Sequence, residues 1–575
     1  MKKPGLWLAL VGFLGIVAVG AWLGNSWFGT YQQAQQVQSE VRSVEASLRE
    51  SQWEALPDQV TSLTESAGGL QARTRQAPWR LLEALPVIGP SAAAVTALTQ
   101  SLASIGEATE PLAPLAQRIV QGQIRRPDGS VDLAALEQAA PRLEVLSERI
   151  EIAIDRLDGV DVDAVRPEIG EPVAVFRDEL DGLLPTLRTA STLATWLPGL
   201  LGADGPRDWL IMLQNPAEAR GSGGLIGGYV VARADDGRLA FIEDATTTDY
   251  AAEPIPIESA PLDARETWGD GLGRWGAFNA SPHFPMTAAL AADGVAAMGQ
   301  PVDGVIAVDP QGMSSVLEVT GPVSAMGETI TAQDAAQFIT VDVYREYPDA
   351  VERDEVTMAL VRAAFDALVN ASWTPRTMAD ALRAPIEDQR IRVWSSQADE
   401  QEWLERSPLS GTLTDQPGSV VAVAFNNAAR NKVDAFVQAE VDYTAGRCPT
   451  ATQQESTLTV TLRNDPPADV PRNVSYAYYA NPEAPYGTTR MLVHLYAPVL
   501  SNYQFSTLDG QDIPLYLASE RNRPVWWTYI DLPPGAERVL EVSFFEPSEL
   551  GTEPEVIVQP MVKDEIVRVV ERRQC

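Results

Sequence analysis

The stretch "DWLIMLQNPAEARGSGGLIGGYVV", Asp208–Val231, decides how the middle of the chain folds. It opens with a short apolar run suited to a buried strand, and a second apolar run follows a glycine-rich turn. A single arginine, Arg220, stands beside the glycines. Two interpretations are open: a tight turn between two strands, or a loop that holds a phosphate through backbone N–H groups and the arginine.

Strands and helices mix on the C-terminal side of this stretch. "PVDGVIAVDP", Pro301–Pro310, predicts another buried strand, and the helix after it is expected to end at Gly321 and Pro322. "DEVTMALVRAAFDALVN", Asp354–Asn370, predicts a longer helix. These patterns together indicate a central α+β or α/β domain over residues 201–445.

Residues 31–200 have a helical pattern. Leucine or isoleucine recurs every seven residues at Leu136, Leu143, Ile150 and Leu157, which predicts a seam between packed helices. Pro141 interrupts this seam, so we expect a bundle or kinked hairpin rather than one long rod, in a region that serves as a stalk or packing platform.

The chain changes to a period of two after Cys448. In "STLTVTLRND" the residues Leu458, Val460 and Leu462 alternate with threonines, and further runs follow at similar spacing with Pro and Gly turns. Residues 446–575 are therefore predicted to form a β-sandwich.

The N-terminus reads "MKKPGLWLALVGFLGIVAVGAWLG", with Lys2 and Lys3 before an uncharged run. Residues 6–24 are long and apolar enough for a membrane-crossing helix. The positive-inside rule then predicts a single-pass cell-membrane protein, with a cytoplasmic tip and anchor in residues 1–30 and residues 25–575 extracytoplasmic. The alternative is a cleaved signal peptide, which would also export the chain.

Composition limits the chemistry. The net charge of −35 argues against nucleic acid as a partner. The chain has only two histidines and two cysteines, too few for a zinc site. No metal ligand is assigned, and Mg²⁺ or Ca²⁺ bound by carboxylate oxygens stays open. In an oxidising compartment Cys448 and Cys575 are natural disulfide partners; the alternatives are two free thiols or an intermolecular bond.

The loop around Arg220 lacks the Lys-Ser/Thr of a Walker A motif, because Leu225 and Ile226 follow Gly224. Gly221, Gly223 and Gly224 would suit either an anion-binding nest or close backbone packing. The same stretch, with the blocks "GQPVDGVIAVDPQGMSSVLEVTGPV", "YREYPDAVERDE" and "NNAARNKVDAFV", resembles bacterial domain-of-unknown-function family 4012, from about Leu81 to the C-terminus. Members of that family are membrane-anchored extracellular proteins.

That family is in turn distantly similar to the LytR–CpsA–Psr enzymes, which transfer glycopolymers from polyprenyl pyrophosphate to the cell wall. The similarity implies a fold of that type for the central domain and phosphate binding by Arg220 and Arg353, assisted by Arg345, with Asn215 at the end of the strand. The sequence departs from those enzymes, because Gly223 and Gln214-Asn215 stand where they carry aspartates. The cofactor therefore stays unknown, and Mg²⁺ is expected only if the chain is a transferase.

Three weaker candidates accompany this loop. Asp303 and Asp309 flank a predicted strand and suit turn caps better than a catalytic pair. The aromatic, glycine-rich segment Trp268–Pro285 would either line a glycan or lipid groove or pack as a surface loop. Arg430 and Lys432 are a further candidate anion site.

The sequence thus predicts an α+β multidomain protein with a transmembrane helix, a helical stalk or bundle, a LytR–CpsA–Psr-like domain and a β-sandwich. We expect an extracytoplasmic cell-envelope protein that binds a polyprenyl-phosphate glycolipid or wall-polymer precursor. The alternatives are a phosphotransferase that attaches glycopolymers to the wall and a non-catalytic structural or adhesive scaffold. Arg220 beside Arg353 in an open groove would favour ligand binding, whereas Arg220 paired with Glu218 or Asp354 would favour the scaffold.

Overall fold

A computed structural model describes residues 40, 43, 55–120, 123–126, 128–371, 373–446, 448–450, 452–475, 483–548 and 554–571. The chain divides into two compact units, which are described separately. The first consists of Met1–Pro206, Asp235–Arg238 and Thr374–Arg376. The second consists of Arg207–Ala234, Leu239–Trp373 and Thr377–Cys575.

The first unit is helical. Its helices are α1 (Leu56–Thr74), α2 (Ala77–Glu83), α3 (Gly89–Thr109), α4 (Ala113–Val120), α5 (Leu133–Asp158) and α6 (Pro167–Leu200). Leucines, valines and alanines of α3, α5 and α6 share one apolar core, as expected for amphipathic helices packed in a bundle.

The heptad seam lies on α5. Leu136, Ile150 and Leu157 are buried, and Leu143 is packed against the core that contains Ile150 and Leu157. The helix continues through Pro141, contrary to the predicted interruption. Proline removes one backbone hydrogen bond, but burial of the seam on both sides holds the helix together.

The second unit contains a five-stranded mixed sheet with the strand order β3-β2-β1-β4-β7. Its strands are β1 (Arg207–Arg220), β2 (Gly223–Asp235), β3 (Arg238–Thr246), β4 (Gly304–Val308) and β7 (Ile391–Ser395). β1 pairs antiparallel with β2 and parallel with β4, and the carboxyl end of β4 at Val308 lies beside Leu213 of β1. The apolar runs of the sequence are these central strands, with one face buried in the core and the other partly buried.

Two short strands, β5 (Val323–Ala325) and β6 (Glu328–Ile330), form a separate hairpin. Helices surround the mixed sheet: α7 (Thr247–Tyr250), α8 (Leu262–Trp268), α9 (Phe284–Ala297), α10 (Pro310–Thr320), α11 (Ala335–Gln337), α12 (Val343–Glu346), α13 (Ala350–Asn370), α14 (Pro375–Glu387) and α15 (Ala398–Glu405). A π-helix, Phe338–Asp342, lies between α11 and α12. The helix predicted from Asp354 begins earlier, at Ala350, because the Asp349 carboxylate accepts hydrogen bonds from the backbone N–H groups of Val351 and Glu352.

The rest of the second unit is a two-layer β-sandwich. One sheet has the order β13-β12-β16-β10-β9-β18 and the other β14-β15-β11-β8-β17. The strands are β8 (Val420–Asn427), β9 (Val437–Ala445), β10 (Gln453–Asn464), β11 (Thr489–Tyr496), β12 (Asn502–Leu508), β13 (Gln511–Asp512), β14 (Tyr516–Glu520), β15 (Arg523–Leu532), β16 (Glu537–Pro547), β17 (Glu555–Val558) and β18 (Ile566–Glu571). Because β8 and β9 precede residue 446, the sandwich takes in residues that the sequence had grouped with the central domain.

The predicted fold class requires correction. Within the described ranges, no helix is long and apolar enough to cross a membrane. The architecture that the structure supports is α+β and multidomain, with helices and several sheets, and we remove the transmembrane helix from it. The segment at residues 6–24 lies outside the described residues, as does Cys575, so the pair Cys448–Cys575 stays a prediction.

Candidate functional site

Arg220 lies at the end of β1, and its guanidinium is surrounded by protein. The residue is only 6% exposed. Its Nη2 is 3.3 Å from Oε1 of Glu218, and Nε donates to the carbonyl of Gly276 at 2.9 Å. Nη1 donates to the carbonyls of Ala219 and Asn427. The guanidinium is therefore committed to structural contacts.

The glycines beside Arg220 allow close backbone packing. A Cβ on Gly221 would lie 2.0 Å from the carbonyl oxygen of Ala280, and one on Gly224 would lie 2.1 Å from the carbonyl carbon of Asn215. Gly223 has a φ of +117°, which residues with a side chain rarely adopt. The loop is a closed turn, and the structure does not bring Arg220 together with Arg353 in an open groove.

Residues of the sandwich and of the segment after β8 form hydrogen bonds with this turn. Asn426, at the end of β8, accepts a hydrogen bond from Gly221 N at 3.0 Å and donates to the Ala280 carbonyl at 3.1 Å. Asp434 accepts from Ala219 N at 3.0 Å and from the Asn427 amide at 2.7 Å. The "NNAARNKVD" block thus forms part of a buried polar network.

A different pocket opens at the carboxyl end of β4, beside Leu213 of β1. Open α/β sheets commonly bind ligands at the carboxyl ends of their strands. We call this pocket the first cavity; its volume is about 100 Å³. Apolar side chains from the sheet, the π-helix and the surrounding helices form most of its wall: Leu213, Val308, Met313, Ile339, Val343, Met358 and Val361.

One end of the first cavity is polar. Asn215, Tyr344, Arg353 and Asp354 line it. The Arg353 guanidinium carbon lies 4.8 Å from the centre of the Tyr344 ring, and its Nη1 donates to the Tyr347 carbonyl at 3.2 Å. Within the described ranges, Nε and Nη2 of Arg353 have no hydrogen-bond partner. They are free to bind an anion.

The Tyr344 hydroxyl can also donate a hydrogen bond to a ligand. Tyr344 is 8% exposed, and its oxygen accepts a hydrogen bond from the Asn215 amide at 3.0 Å. No described residue accepts the hydroxyl hydrogen, which leaves a buried donor at the cavity. Leaving such a donor unpaired costs about 1–3 kcal/mol, so a ligand that supplies an acceptor would be favoured.

Two cations lie close to the Tyr344 ring. Lys432 Nζ is 5.2 Å from the ring centre, in addition to the Arg353 guanidinium. Lys432 is also 3.2 Å from Oε2 of Glu218, which pairs with Arg220. Glu218 thus carries two cationic partners, while Arg353 is the cation that lines the cavity.

Asp354 adds a carboxyl group beside Arg353. Burial raises its pKa, while the Arg353 charge and a hydrogen bond from Thr248 oppose that shift. The Thr248 hydroxyl donates to Oδ2 of Asp354 at 3.3 Å. The polar end therefore offers hydrogen-bond donors and an acceptor side by side.

The remaining candidates are already bonded within the protein. Arg345 is exposed and pairs with Asp342 at 3.4 Å and with Asp469 at 3.7 Å. Asp309 caps α10 through Gly312 N and forms a buried ion pair with Arg390 at 2.8 Å. Both are structural contacts.

Asp303 and the aromatic loop are likewise used in packing. Asp303 accepts from Asp208 N at 2.9 Å, which ties it to the start of β1 and is not the local turn cap that was predicted. In the segment Trp268–Pro285, Trp275 and Phe278 are core residues, and the Trp268 indole donates to Glu520 at 2.9 Å. The segment closes the core and does not line the first cavity.

Arg430 is exposed on a turn with a φ of +57°, which leaves Lys432 as the inward-facing cation of that pair. Within the described ranges, no group of three His, Cys, Asp or Glu side chains could hold a metal ion.

Sequence reasoning missed Tyr344 and Asp354. Both flank arginines that had been singled out, Arg345 and Arg353, in the block "VYREYPDAVERDE". The signal was the spacing of Asp354 and two apolar residues that follow it, Met358 and Val361. At this helical spacing the carboxyl and part of the cavity wall lie on one face of α13.

Fold and site define an α+β protein with a pocket that is apolar along its wall and cationic at one end. Residues 204–344 match a family described as "Protein of unknown function (DUF4012)", which supports the resemblance to that family over this part of the chain. No curated protein matches the chain, and no solved structure does. The similarity to LytR–CpsA–Psr enzymes stays a prediction.

Proposed function

We propose that the first cavity binds an anionic amphiphile, with a phosphate at Arg353 and Tyr344 and an apolar chain along the cavity wall. The observation that carries this proposal is the unsatisfied donor set of Arg353 and Tyr344 at the end of an apolar pocket. A polyprenyl-phosphate glycolipid or wall-polymer precursor has this order of groups. Such lipids belong to the cell envelope, and we propose that the protein acts there, outside the cytoplasm.

The size of the cavity limits how the ligand enters. About 100 Å³ is less than the roughly 150 Å³ of an engineered cavity that takes up benzene, so only a short part of a chain fits without movement. Ile339 belongs to the π-helix, and Val343 follows it in α12. Because π-helical turns are often found at functional sites, we expect this wall to move when a longer chain binds.

A second candidate function is the non-catalytic scaffold, and one observation favours it. Arg220 pairs with Glu218 in a closed turn, the arrangement expected of a scaffold. This turn is separate from the first cavity, so the two functions are compatible. A transferase would need a reacting group in addition, and Asp309, a carboxylate that lines the cavity, is committed to Arg390 and Gly312.

The test is to measure the binding of farnesyl phosphate to the full chain by calorimetry. Farnesol and inorganic phosphate serve as probes that lack one half of the amphiphile. We expect farnesyl phosphate to bind and Arg353→Gln to weaken it about tenfold to hundredfold, because charge-assisted hydrogen bonds contribute about 1.5–3 kcal/mol.

Arg345→Gln is the matched control, since it removes the same charge from an exposed position outside the cavity. It should bind farnesyl phosphate as the wild type does. Arg220→Gln is unsuitable as a binding variant, because breaking a buried ion pair destabilises a fold by about 3–5 kcal/mol. No binding of farnesyl phosphate, or equal weakening by Arg353→Gln and Arg345→Gln, would contradict the proposal.

A further inference from the structure

The connection from β10 to β11 of the sandwich packs against the wall of the first cavity. We call residues 466–475 of this connection the strap. Its backbone forms two turns. Val470 N donates to the Pro467 carbonyl at 3.2 Å, and Val474 N donates to the Pro471 carbonyl at 3.0 Å. The strap thus has a folded backbone of its own and approaches the cavity wall as one piece.

Two valines of the strap belong to a core that includes the cavity wall. Val470 and Val474 are buried, and they share this hydrophobic core with Phe338, Val343 and Tyr344. Phe338 is in the π-helix, while Val343 and Tyr344 line the first cavity from α12. Removing apolar side chains from water is favourable, so the two valines stabilise the present position of the wall.

A hydrogen bond joins the strap to the same short helix. The Asn473 side-chain amide donates to the Tyr344 carbonyl at 2.7 Å. A helical carbonyl normally accepts from the backbone N–H four residues later, and at Tyr344 that position is Pro348, which has no N–H. Asn473 supplies the donor that the helix lacks, so the strap satisfies the end of α12.

A third contact between the strap and α12 contributes little. Asp469 Oδ2 is 3.7 Å from Nη2 of Arg345, but both side chains are exposed. Exposed ion pairs contribute little to stability because water and salt screen them. The strap therefore depends on Asn473 and its valines, and removal of the Arg345 charge leaves it in place.

The side of the cavity that the strap contacts is the side built from short elements. Ile339 in the π-helix and Val343 in α12 form it, whereas the other walls come from the mixed sheet and the long helix α13. The volume of about 100 Å³ holds only a short apolar chain. A longer chain has to displace one wall, and the short elements offer the least resistance because few backbone hydrogen bonds hold them.

We infer that the strap regulates access to the first cavity: it holds the π-helix and α12 in a closed position, and a long apolar chain binds only when the strap is released. The inference rests on the proposed function and adds how its site opens. Because linkage is reciprocal, release of the strap favours binding of a long chain, and a bound long chain loosens the strap. The sandwich thereby controls binding beside the mixed sheet.

The experiment measures how two probes bind to the full chain by calorimetry. Farnesyl phosphate has a long chain, and dimethylallyl phosphate has one isoprene unit in place of three. Asn473→Ala removes the hydrogen bond of the strap and leaves the lining of the cavity intact. It should bind farnesyl phosphate about twofold to tenfold more tightly than the wild type, the factor that corresponds to a typical hydrogen bond. Dimethylallyl phosphate, which needs no opening, should bind both proteins equally.

Asn502→Ala is the matched control. Asn502 lies in β12 of the sandwich, and its amide likewise donates to a backbone carbonyl, that of Leu500, at 3.3 Å. This variant should bind both probes as the wild type does. Val474→Ala loosens the strap by loss of apolar contact instead and should also tighten the binding of farnesyl phosphate. Urea unfolding establishes first that each variant is folded.

Hydrogen exchange of the wild type tests the same coupling without a substitution. Val474 N and Ser475 N both donate to the Pro471 carbonyl within the strap. Farnesyl phosphate should speed the exchange of these two amides, because a bound long chain releases the strap. Dimethylallyl phosphate should leave their exchange unchanged.

The outcomes separate the two proposals. If the wild type binds farnesyl phosphate, but Asn473→Ala binds it no more tightly and the strap amides exchange no faster, the inference is wrong and the proposed function stands. Equal tightening of both probes by Asn473→Ala would also contradict the inference, because opening affects only the long chain. If the wild type binds neither probe, the proposed function fails, and the inference fails with it.

Discussion

Asp434 shows how one buried carboxyl joins the sandwich to the mixed sheet. Its Oδ2 accepts from Ala219 N and from the Asn427 amide, and its Oδ1 accepts from the Thr489 hydroxyl at 2.8 Å. The side chain is fully buried, and burial raises its pKa to about 7 despite these three hydrogen bonds. The carboxyl therefore titrates near neutral pH in the folded protein.

This pKa makes stability depend on pH. A free aspartate has a pKa of about 3.9, so between about pH 4 and 7 the folded state holds a proton that the unfolded state has released. The contribution of Asp434 to the free energy of unfolding thus falls as the pH rises through this range. Asp434→Asn cannot titrate, and its amide can donate to the Thr489 hydroxyl while its oxygen takes the other two bonds.

We therefore predict that the free energy of unfolding of the wild type falls relative to that of Asp434→Asn between pH 5 and pH 8. Urea unfolding of both proteins at each pH measures the difference. A constant difference across this range would show that Asp434 is ionised throughout, stabilised by its three donors against desolvation.

At the scale of elements, the β1–β2 hairpin determines where the site forms. The register of the two strands shifts between Leu213 and Gln214 and again between Asn215 and Ala219. The second irregularity turns Asn215 toward Tyr344, while Ala219 and Arg220 stay in the buried network. Such bulges commonly re-aim side chains next to binding sites.

The close packing of the hairpin makes the free energy of unfolding sensitive to substitution of Gly223. Gly223→Ala would place a Cβ 2.3 Å from the Gln214 side-chain oxygen at a φ of +117°. Gly327→Ala has a similar strained φ, +91°, but nothing lies near its Cβ. Comparing the two variants separates the cost of crowding from the cost of backbone strain.

We expect Gly327→Ala to lower the free energy of unfolding by about 1–2 kcal/mol, from backbone strain alone. Gly223→Ala should cost about 1–3 kcal/mol more, because overpacking adds to the strain. Urea unfolding measures both. Equal costs would mean that Gln214 moves aside freely and that the turn is less tightly packed than its contacts indicate.

The elements were largely predictable, whereas the site was not. Period-two and heptad patterns predicted the sandwich strands and the α5 seam, because burial imposes those periods locally. The site depends on contacts between residues far apart in sequence: Tyr344 reaches Asn215, and Asp434 reaches Ala219. Nothing local in "EARGSGG" distinguishes an arginine that binds phosphate from one that pairs with Glu218 and backbone carbonyls.

At the scale of the whole molecule, the domain boundary predicted near residue 446 shows the same limit of prediction from local sequence patterns. β8 pairs antiparallel with β11 and parallel with β17, and β9 pairs with β10 and β18. Two of these pairs, β8–β17 and β9–β18, join strands that are more than a hundred residues apart along the chain. Periodicity identifies such strands but not the sheet that each one joins.

The whole molecule also influences how an anionic ligand arrives. The net charge is −35, whereas the proposed binding site depends on Arg353. Distant carboxylates repel an approaching phosphate at low salt, and at about 0.15 M salt charges more than roughly 8 Å away are largely screened. The short contact to Arg353 is made inside that distance and is affected less.

We therefore predict that the association rate constant for farnesyl phosphate rises severalfold when the salt concentration increases from about 10 mM to about 150 mM, since long-range fields change such rates by roughly 10-fold or more. Stopped-flow tryptophan fluorescence is the measurement, with farnesol as the uncharged control, whose rate should not change. A rate that falls with salt would mean that a local positive field around Arg353 outweighs the charge of the whole chain. In that case the positive field would attract the ligand to the first cavity, and the net negative charge of the chain would not slow its association.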